Sequence, residues 1–445
     1  MAAGPRPPAA EGGRARRATV PRRSLAQWDP GAREQDALAT ILAQDQTRDP
    51  DLVPIRHGRM GASPWTYYRG AAAVMAADLA SAPNTGIGVQ LCGDAHVLNF
   101  GLWKTPERIL SFDLNDFDET LPGPFEWDVK RFLTGLVVLA RENGIRNRET
   151  EQAVRAGFAG YRKWIHRYAQ WSELDVWYDT VDAERLVKYT AAHDGKLEKR
   201  LERQAARNTN RGAFAKLTRA VDGRRQIVDR PPYRAHADID LNRLDAVLGK
   251  YTSTVPDHLG VLLDHYDVVD AVRQVVGVGS VGMRDYLVLC EDRRTGDPLF
   301  LQVKQAGASV YEQWIGKSRY ADAGERVVVG QRLLQRAPDM FLGWTTVKGM
   351  DFYVRQFRDG KVVADSAQLV RRLPEYAHAC GRVLARAHAR SGDAAEIDDY
   401  LGRSRKVADA FTAFAFAYDR QNAHDHAQLA AAIEDGTVAA EPGWP

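Results

Sequence analysis

The chain of 445 residues carries 61 basic and 58 acidic side chains, a net charge of +3. That balance argues against a nucleic acid or a membrane surface as the main partner, while 44% hydrophobic content over this length supports two or three globular domains of ~150 residues each. Cys92, Cys290 and Cys380 fit neither a disulfide framework nor a metal spacing, no apolar run reaches the ~18 residues of a membrane span, and the early Arg-Arg pairs precede no apolar signal core, so a cytoplasmic location is expected.

Residues 1–25, rich in Ala, Gly, Pro and Arg, lack apolar periodicity and are expected to form a disordered basic tail. A mostly helical lobe is predicted over 26–255. It opens with a helix from Asp36 to Gln44, a break at Asp49 to Pro54, and a second helix starting at Ser63-Pro64, whose face follows Tyr67, Tyr68, Ala71, Met75 and Leu79. Arg69 lies among those aromatics, placed to reach a phosphate or an acid of the loop that follows.

That loop, residues 91–101, and the stretch 109–119 hold Asp94, His96, Asn99, Asp113, Asp116, Asp118 and Glu119 between the apolar runs Val89–Leu91 and Ile109–Leu114, which read as short buried strands. Acids at the ends of buried strands are positioned rather than merely solvated. The spacing suits phosphoryl transfer, in which one carboxylate meets the acceptor hydroxyl while an amide oxygen and a second carboxylate hold magnesium.

Asp94 and Asn99 lie five residues apart, as in the protein-kinase loop H-R-D-x-x-x-x-N. The wording resembles more closely the aminoglycoside and choline kinase loop H-G-D-x-H-x-x-N, with Cys92 departing from its first His. Asp116, seventeen residues after Asn99, then resembles the Asp of the Asp-Phe-Gly element with Asp118 in place of glycine, and Asp128 resembles the Asp of a turn that opens the next helix. The run from Arg59 through Tyr68, Arg69 and Gly70 to Trp127 and Asp128 is also similar to a large bacterial family of uncharacterised proteins, the domain of unknown function 2252, over nearly the whole chain after the basic tail. The kinase resemblance implies Asp94 with His96 as catalytic candidates and Asn99 with Asp116 as magnesium ligands.

After Asp128, one apolar helical face runs through Val129, Phe132, Leu133, Leu136, Val137 and Ala140, and another through Phe158, Tyr161, Trp164 and Ile165. Residues 181–230 are highly charged and read as helical. The pattern changes after Pro256, where a β-rich lobe is expected over 256–360. Gly277, Gly279 and Gly282 form G-x-G-x-x-G around Ser280, a signal shared by dinucleotide and kinase folds. Here β-rich Tyr286–Leu289, a turn over Asp292–Pro298 and a strand Leu299–Lys304 follow, which favours the kinase hairpin over a helix-opening dinucleotide turn. Lys304 then stands where kinases carry the lysine of the α- and β-phosphates, with Glu312, or else Glu325, as its partner and the glycine loop as a lid. Strands Met340–Thr346 and Asp351–Phe357 complete the sheet, the turn Arg358–Lys361 is expected near adenine, helices fill 361–433, including one over Pro374–Arg390, and 434–445 is a tail.

These parts stand in an unusual order, because the glycine loop and lysine follow the catalytic loop. Placing residues 256–430 before 56–250 restores the kinase order, so the expected fold is α+β, a kinase-like two-lobe fold in circularly permuted order with a small antiparallel sheet lobe and a large helical lobe. The expected function is an ATP-dependent phosphotransferase using ATP and Mg2+ on a small-molecule acceptor. A pseudokinase scaffold and a nucleotidyl transferase use the same residues; a metal-dependent phosphoesterase needs clustered His and Asp ligands, and the chain has 11 His and no Gly-Asn-His element.

Overall fold

The computed structural model describes residues 12–182, 203, 209–236, 241–357 and 369–442. Five helices come first: α1 (Gly13–Thr19), α2 (Ala37–Asp45), α3 (Val53–Gly61), α4 (Pro64–Gly70) and α5 (Ala72–Ser81). Their starts follow from local chemistry, since the Asp36 carboxylate caps α2 and Ser63 and Thr66 form a reciprocal capping box on either side of Pro64. Four short strands follow, β1 (Gly88–Leu91), β2 (Phe100–Lys104), β3 (Leu110–Leu114) and β4 (Leu121–Pro124). β1 pairs with β4 and β2 with β3, both antiparallel. The connections β1 to β2 and β3 to β4 therefore leave neighbouring strand ends side by side, which brings residues 92–99 next to 115–120.

The helical body is built on α6 (Phe125–Glu142) and α7 (Asn147–Tyr168), then α8 (Glu173–Tyr178). α6 is buried on every face from Phe125 to Ala140, the mark of a central helix. Next come α9 (Asn210–Leu217), β5 (Thr218–Val221), β6 (Arg224–Ile227), β7 (Arg234–Ala235), α10 (Leu241–Thr252) and α11 (Asp257–Leu263). The strands β8 (Tyr266–Gln274), β9 (Asp285–Asp292) and β10 (Pro298–Ala306) precede α12 (Glu312–Ile315) and α13 (Ala323–Leu334); β11 (Gly343–Val347) and β12 (Met350–Gln356) come after them. The chain ends on α14 (Leu373–Ser391), α15 (Ala394–Leu401) and α16 (Lys406–Glu434). The result is a mixed α+β protein.

The main sheet has the order β11-β12-β10-β9-β8-β7 and is antiparallel throughout. Lys304 lies on the inner strand β10, opposite Asp285 of β9 and Tyr353 of β12. The strand, turn and strand read over Tyr286–Lys304 are thus the observed ones. The helical core closes where α7 and α14 cross at backbone contact: a Cβ on Gly381 would sit 2.1 Å from the Gly157 carbonyl oxygen, and one on Gly160 would sit 2.2 Å from that of His378. Among the described residues no helix is long and apolar enough to cross a membrane, and all three cysteines are free and buried.

Several expectations are revised. Residues 12–25, read as part of a disordered tail, are ordered: α1 packs on α15, with the Arg14 backbone N–H on Asp399 at 2.6 Å and Arg17 Nε on the Tyr400 carbonyl at 3.0 Å. The charge of the tail finds acids and carbonyls nearly four hundred positions away. The other tail is also attached in its described part, with Val438 buried and the Glu441 N–H on the Pro54 carbonyl at 2.9 Å. Residues 218–227, read as helical, form the hairpin β5–β6, because Asp222 and Gly223 both take positive φ (48° and 77°), the geometry of a two-residue hairpin turn. Another, the glycine loop, is treated with the site. The turn Arg358–Lys361 and most of 183–208 lie outside the described residues.

The α7–α14 crossing makes a prediction. Gly381→Ala forces two backbones apart and is expected to cost about 3 kcal/mol in urea denaturation. Gly249→Ala, on α10 with nothing within 4 Å of the added Cβ, is expected to gain about 0.5–1 kcal/mol. Equal effects at the two positions would contradict the close crossing.

Candidate active site

The loop 92–99 is held by contacts on three sides. At the start of α6, the Asp128 carboxylate accepts the backbone N–H groups of Cys92 (2.8 Å) and Gly93 (3.1 Å). The Tyr311 hydroxyl donates to the Gly93 carbonyl at 2.6 Å. Gly93 has φ +88° and lies so close to Glu119 that a Cβ would meet its carbonyl oxygen at 2.4 Å, so this position requires glycine. Behind Asp128, His388 of α14 approaches its carboxylate at 3.3 Å and meets the Tyr161 hydroxyl at 2.8 Å. Asp128 thus anchors the loop and takes no place in the cleft.

Within the loop, Arg131 Nε donates to Asp94 Oδ1 at 2.9 Å, leaving Oδ2 toward His96 Nε2 at 3.8 Å. Burial pushes the Asp94 carboxyl up, against the opposing pull of Arg131. His96 is held well below its ordinary value by burial and by Arg69 and Arg131, so it is a neutral imidazole edge-on to Trp65. Asn99 donates its amide N–H to the Asp94 carbonyl at 2.8 Å, which leaves its side-chain oxygen for another partner. Arg131 was not singled out in the sequence; its charge inside the apolar face of α6, three residues after Asp128, was the available signal.

Across the cleft, Lys304 Nζ contacts Asp118 Oδ2 at 2.6 Å, and the Tyr353 hydroxyl donates to Asp118 Oδ1 at 2.6 Å. Burial alone would lower Lys304, but the Asp118 carboxylate overrides it and keeps the ammonium well above its usual range. Asp116 faces the other way in energy: burial and the neighbouring Asp118 charge push its carboxyl up, and among the described residues it accepts one hydrogen bond, a long one from the Asp118 N–H at 3.4 Å. Asp113 points out of the site into a buried ion pair with Arg386.

Glu312, expected beside Lys304, is elsewhere. Its carboxylate caps the Ser309 N–H at 3.1 Å and lies 3.9 Å from Arg326. α12 is a single short turn that leaves Glu312 at its first position, whereas β10 aims Lys304 at the acid turn. α13, the helix of Glu325, contributes Arg326, which donates to the carbonyls of Asp118, Thr120 and Gly307 at 2.7–2.8 Å.

The glycine loop is also revised. It is not a free lid. Val278 and Val281 are buried against α2–α5, the Asp49 N–H donates to the Gly282 carbonyl at 2.9 Å, and Arg59 Nη1 to that of Gly277 at 2.5 Å. The apolar residues between the glycines decide this, since valines buried in two clusters hold the backbone where glycines alone would leave it mobile. Ser280 Oγ is turned back to the Val276 carbonyl at 2.9 Å.

Two cavities meet inside this arrangement. The larger, about 940 Å3, is lined by Asp94, His96, Asp118, Glu119 and Gly279 among others. The smaller, about 520 Å3, has Lys304 and Arg355 facing apolar walls that include Trp103, Phe341 and Phe357. Arg69, Asn99, Asp116, Gly277 and Ser280 line both. Residues 91–119 and 275–306 therefore share one cleft. Among the described residues no group of three or more His, Cys, Asp or Glu is arranged to hold a metal ion. What the shared wall offers is one carboxylate with no basic side chain bonded to it and one amide oxygen, hard donors that suit a magnesium ion whose remaining ligands come from phosphate and water.

The class this fold and site define is a mixed α+β protein with a two-chambered cleft of buried acids, a buried lysine and a fixed glycine loop. More particularly, the chain belongs to the DUF2252 family, described as an uncharacterized protein conserved in bacteria, whose profile matches residues 48–432. No curated protein and no solved structure matches it.

Behind Lys304, Asp285 is buried between the side-chain amides of Gln274 and Gln302, both at 2.8 Å, and burial pushes its carboxyl up to about 6. An acid raised on folding contributes stability at low pH that is lost as pH rises through its folded value. Asp285→Asn is therefore expected to flatten the pH dependence of stability between pH 4 and about 6.5 by on the order of 2 kcal/mol. Parallel curves for the two proteins over that window would refute this.

Proposed function

We propose that the protein is an ATP-dependent phosphotransferase of kinase-like, circularly permuted fold. The observation that carries this reading is the division of the cleft: Lys304 lines only the smaller cavity, Asp94 only the larger, and Asn99 and Asp116 line both. A phosphoryl transfer needs that arrangement, with donor and acceptor on opposite sides of the transferring group. Placing residues 256–430 before 56–250 also gives the element order of the aminoglycoside and choline kinases.

ATP would place its base against the apolar wall of the smaller cavity, whose 520 Å3 lies within the range of nucleotide-sized ligands. Its phosphates would run toward Lys304, whose ammonium the Asp118 carboxylate keeps charged. Asn99 and Asp116 would hold magnesium, which screens the charge of the phosphates. Asp94, oriented by Arg131, takes the proton of an acceptor hydroxyl as that oxygen bonds to the γ-phosphorus and the bond to the β–γ bridging oxygen breaks, releasing ADP. His96, neutral and buried, shapes the pocket beside Asp94.

Three measurements test the reading. Magnesium ATP should stabilise the wild type in a thermal-shift titration, by about 2.7 kcal/mol at a hundredfold excess over Kd, and do so far less for Lys304→Ala; equal shifts would remove Lys304 from the nucleotide site. Asp94→Asn should lower turnover by about 10²–10⁴-fold with ATP affinity little changed. With a cell extract as acceptor pool, label from γ-labelled ATP should transfer. Transfer of an α-label instead would make the protein a nucleotidyl transferase, and binding without transfer a nucleotide-binding scaffold.

A further inference from the structure

The larger cavity has an uneven distribution of partners. Three of the acids on its wall have a basic partner, Asp94 in Arg131, Asp118 in Lys304 and Glu312 in Arg326, while Glu119 accepts the Val310 N–H at 2.7 Å and Asp116 has no basic side chain bonded to it. Three bases on the same wall, Arg48, Arg69 and Lys317, have no carboxylate within ion-pair distance among the described residues. The Nε atoms of Arg48 and Arg69 are buried and without a hydrogen-bond partner. A buried guanidinium donor left unmatched is costly, and a ligand anion is the natural partner to relieve it.

The three are not equivalent. Arg69 lines both cavities and faces Asp94 and Asp116, so it belongs to the junction where the transferring group sits. Arg48 and Lys317 line only the larger cavity. Burial and the nearby Arg56 push Arg48 down to about 9 against the weaker pull of Asp45 and Glu119, the direction that an added negative charge reverses. Three bases set against Asp116 and Glu119 leave the larger cavity with an excess of positive charge before any cation is bound.

We propose that the larger cavity binds an acceptor carrying an anionic group, a phosphate or a carboxylate, which Arg48 and Lys317 hold while the acceptor's hydroxyl is turned to Asp94. The anion subsite stands on the charge pattern; the direction of the hydroxyl and the role of Arg69 rest on the phosphotransferase reading. Arg48 and Lys317 select the acceptor, and Arg69 steadies the group passing between the two chambers. Charged hydrogen bonds of this kind are each worth a fold-change large enough to separate an anionic sugar from its neutral parent.

The test is calorimetric titration of the full chain, saturated with magnesium and a non-hydrolysable ATP analogue, with ribose 5-phosphate, gluconate, ribose and glucosamine. At least one of the two anions is expected to bind about tenfold or more tighter than ribose, and which one does so separates a phosphate from a carboxylate ligand. Arg48→Gln and Lys317→Gln should each remove about tenfold of that preference, and Lys317→Gln should leave the affinity for the ATP analogue within about twofold. Arg48 also donates to the Val281 carbonyl, whereas Lys317 is exposed, so the lysine variant reports on the subsite without touching the glycine loop. Equal binding of all four probes, tightest binding of glucosamine, or loss of anion binding in Lys304→Ala alone overturns the inference. If the ATP analogue fails to bind the wild type but the anion preference persists and depends on Lys317, the subsite stands and the phosphotransferase reading falls.

Discussion

The contact between Lys304 and Asp118 joins the two halves of the cleft. A buried ammonium on the middle of a sheet is tolerable only with a carboxylate beside it, and removing one member of such a pair costs on the order of 3–5 kcal/mol because the other is left charged and dry. Here the partner comes from a turn 186 positions earlier. The Tyr353 hydroxyl takes the second oxygen of Asp118, and Arg326 holds its carbonyl. The acid turn is therefore fixed to the sheet by three side chains from three different strands and helices, and the boundary between the chambers is as rigid as those contacts.

The loop of Asp94 depends on a separate set of long-range contacts. Its backbone is gripped by Asp128, its glycine carbonyl by Tyr311, and Asp128 in turn touches His388. None of these groups reaches the cavities. They decide where Asp94 and Asn99 stand, which is the usual work of residues supporting a site. Since Tyr311 and His388 come late in the chain, the loop reaches its final geometry only when the C-terminal helices have packed.

Much of this was readable from local signals. The caps at Asp36 and Ser63, the strands around the glycines and the long helix over 373–391 follow from side-chain period and turn residues, which act over a few positions. The acidic loop and turn were readable as a group because strand ends carried them. Pairings were not readable. Glu312 and Glu325 both looked like partners for Lys304, yet Asp118 takes that place and Arg326 stands where an acid was sought. The order of residues 12–25 was hidden for the same reason, since its cause is Asp399 and Tyr400. The hairpin at 218–227 has a local cause: Asp222-Gly223 is a turn signal set inside a charged stretch whose composition favours helix.

The burial of Val278 and Val281 has a kinetic consequence. A loose glycine loop exchanges conformations in nanoseconds to microseconds on its own, but one whose side chains are seated in a neighbouring helical segment moves only with that segment. Opening the upper wall here means displacing residues 48–74 as a unit, since Asp49 and Arg59 are bonded to the loop and Ile55, Met60 and Val74 share its clusters. Such a hinge of packed helices works on the microsecond-to-millisecond scale. The rate at which anything held between the chambers escapes would then be governed by helices in the first quarter of the chain rather than by the flexibility of the glycines.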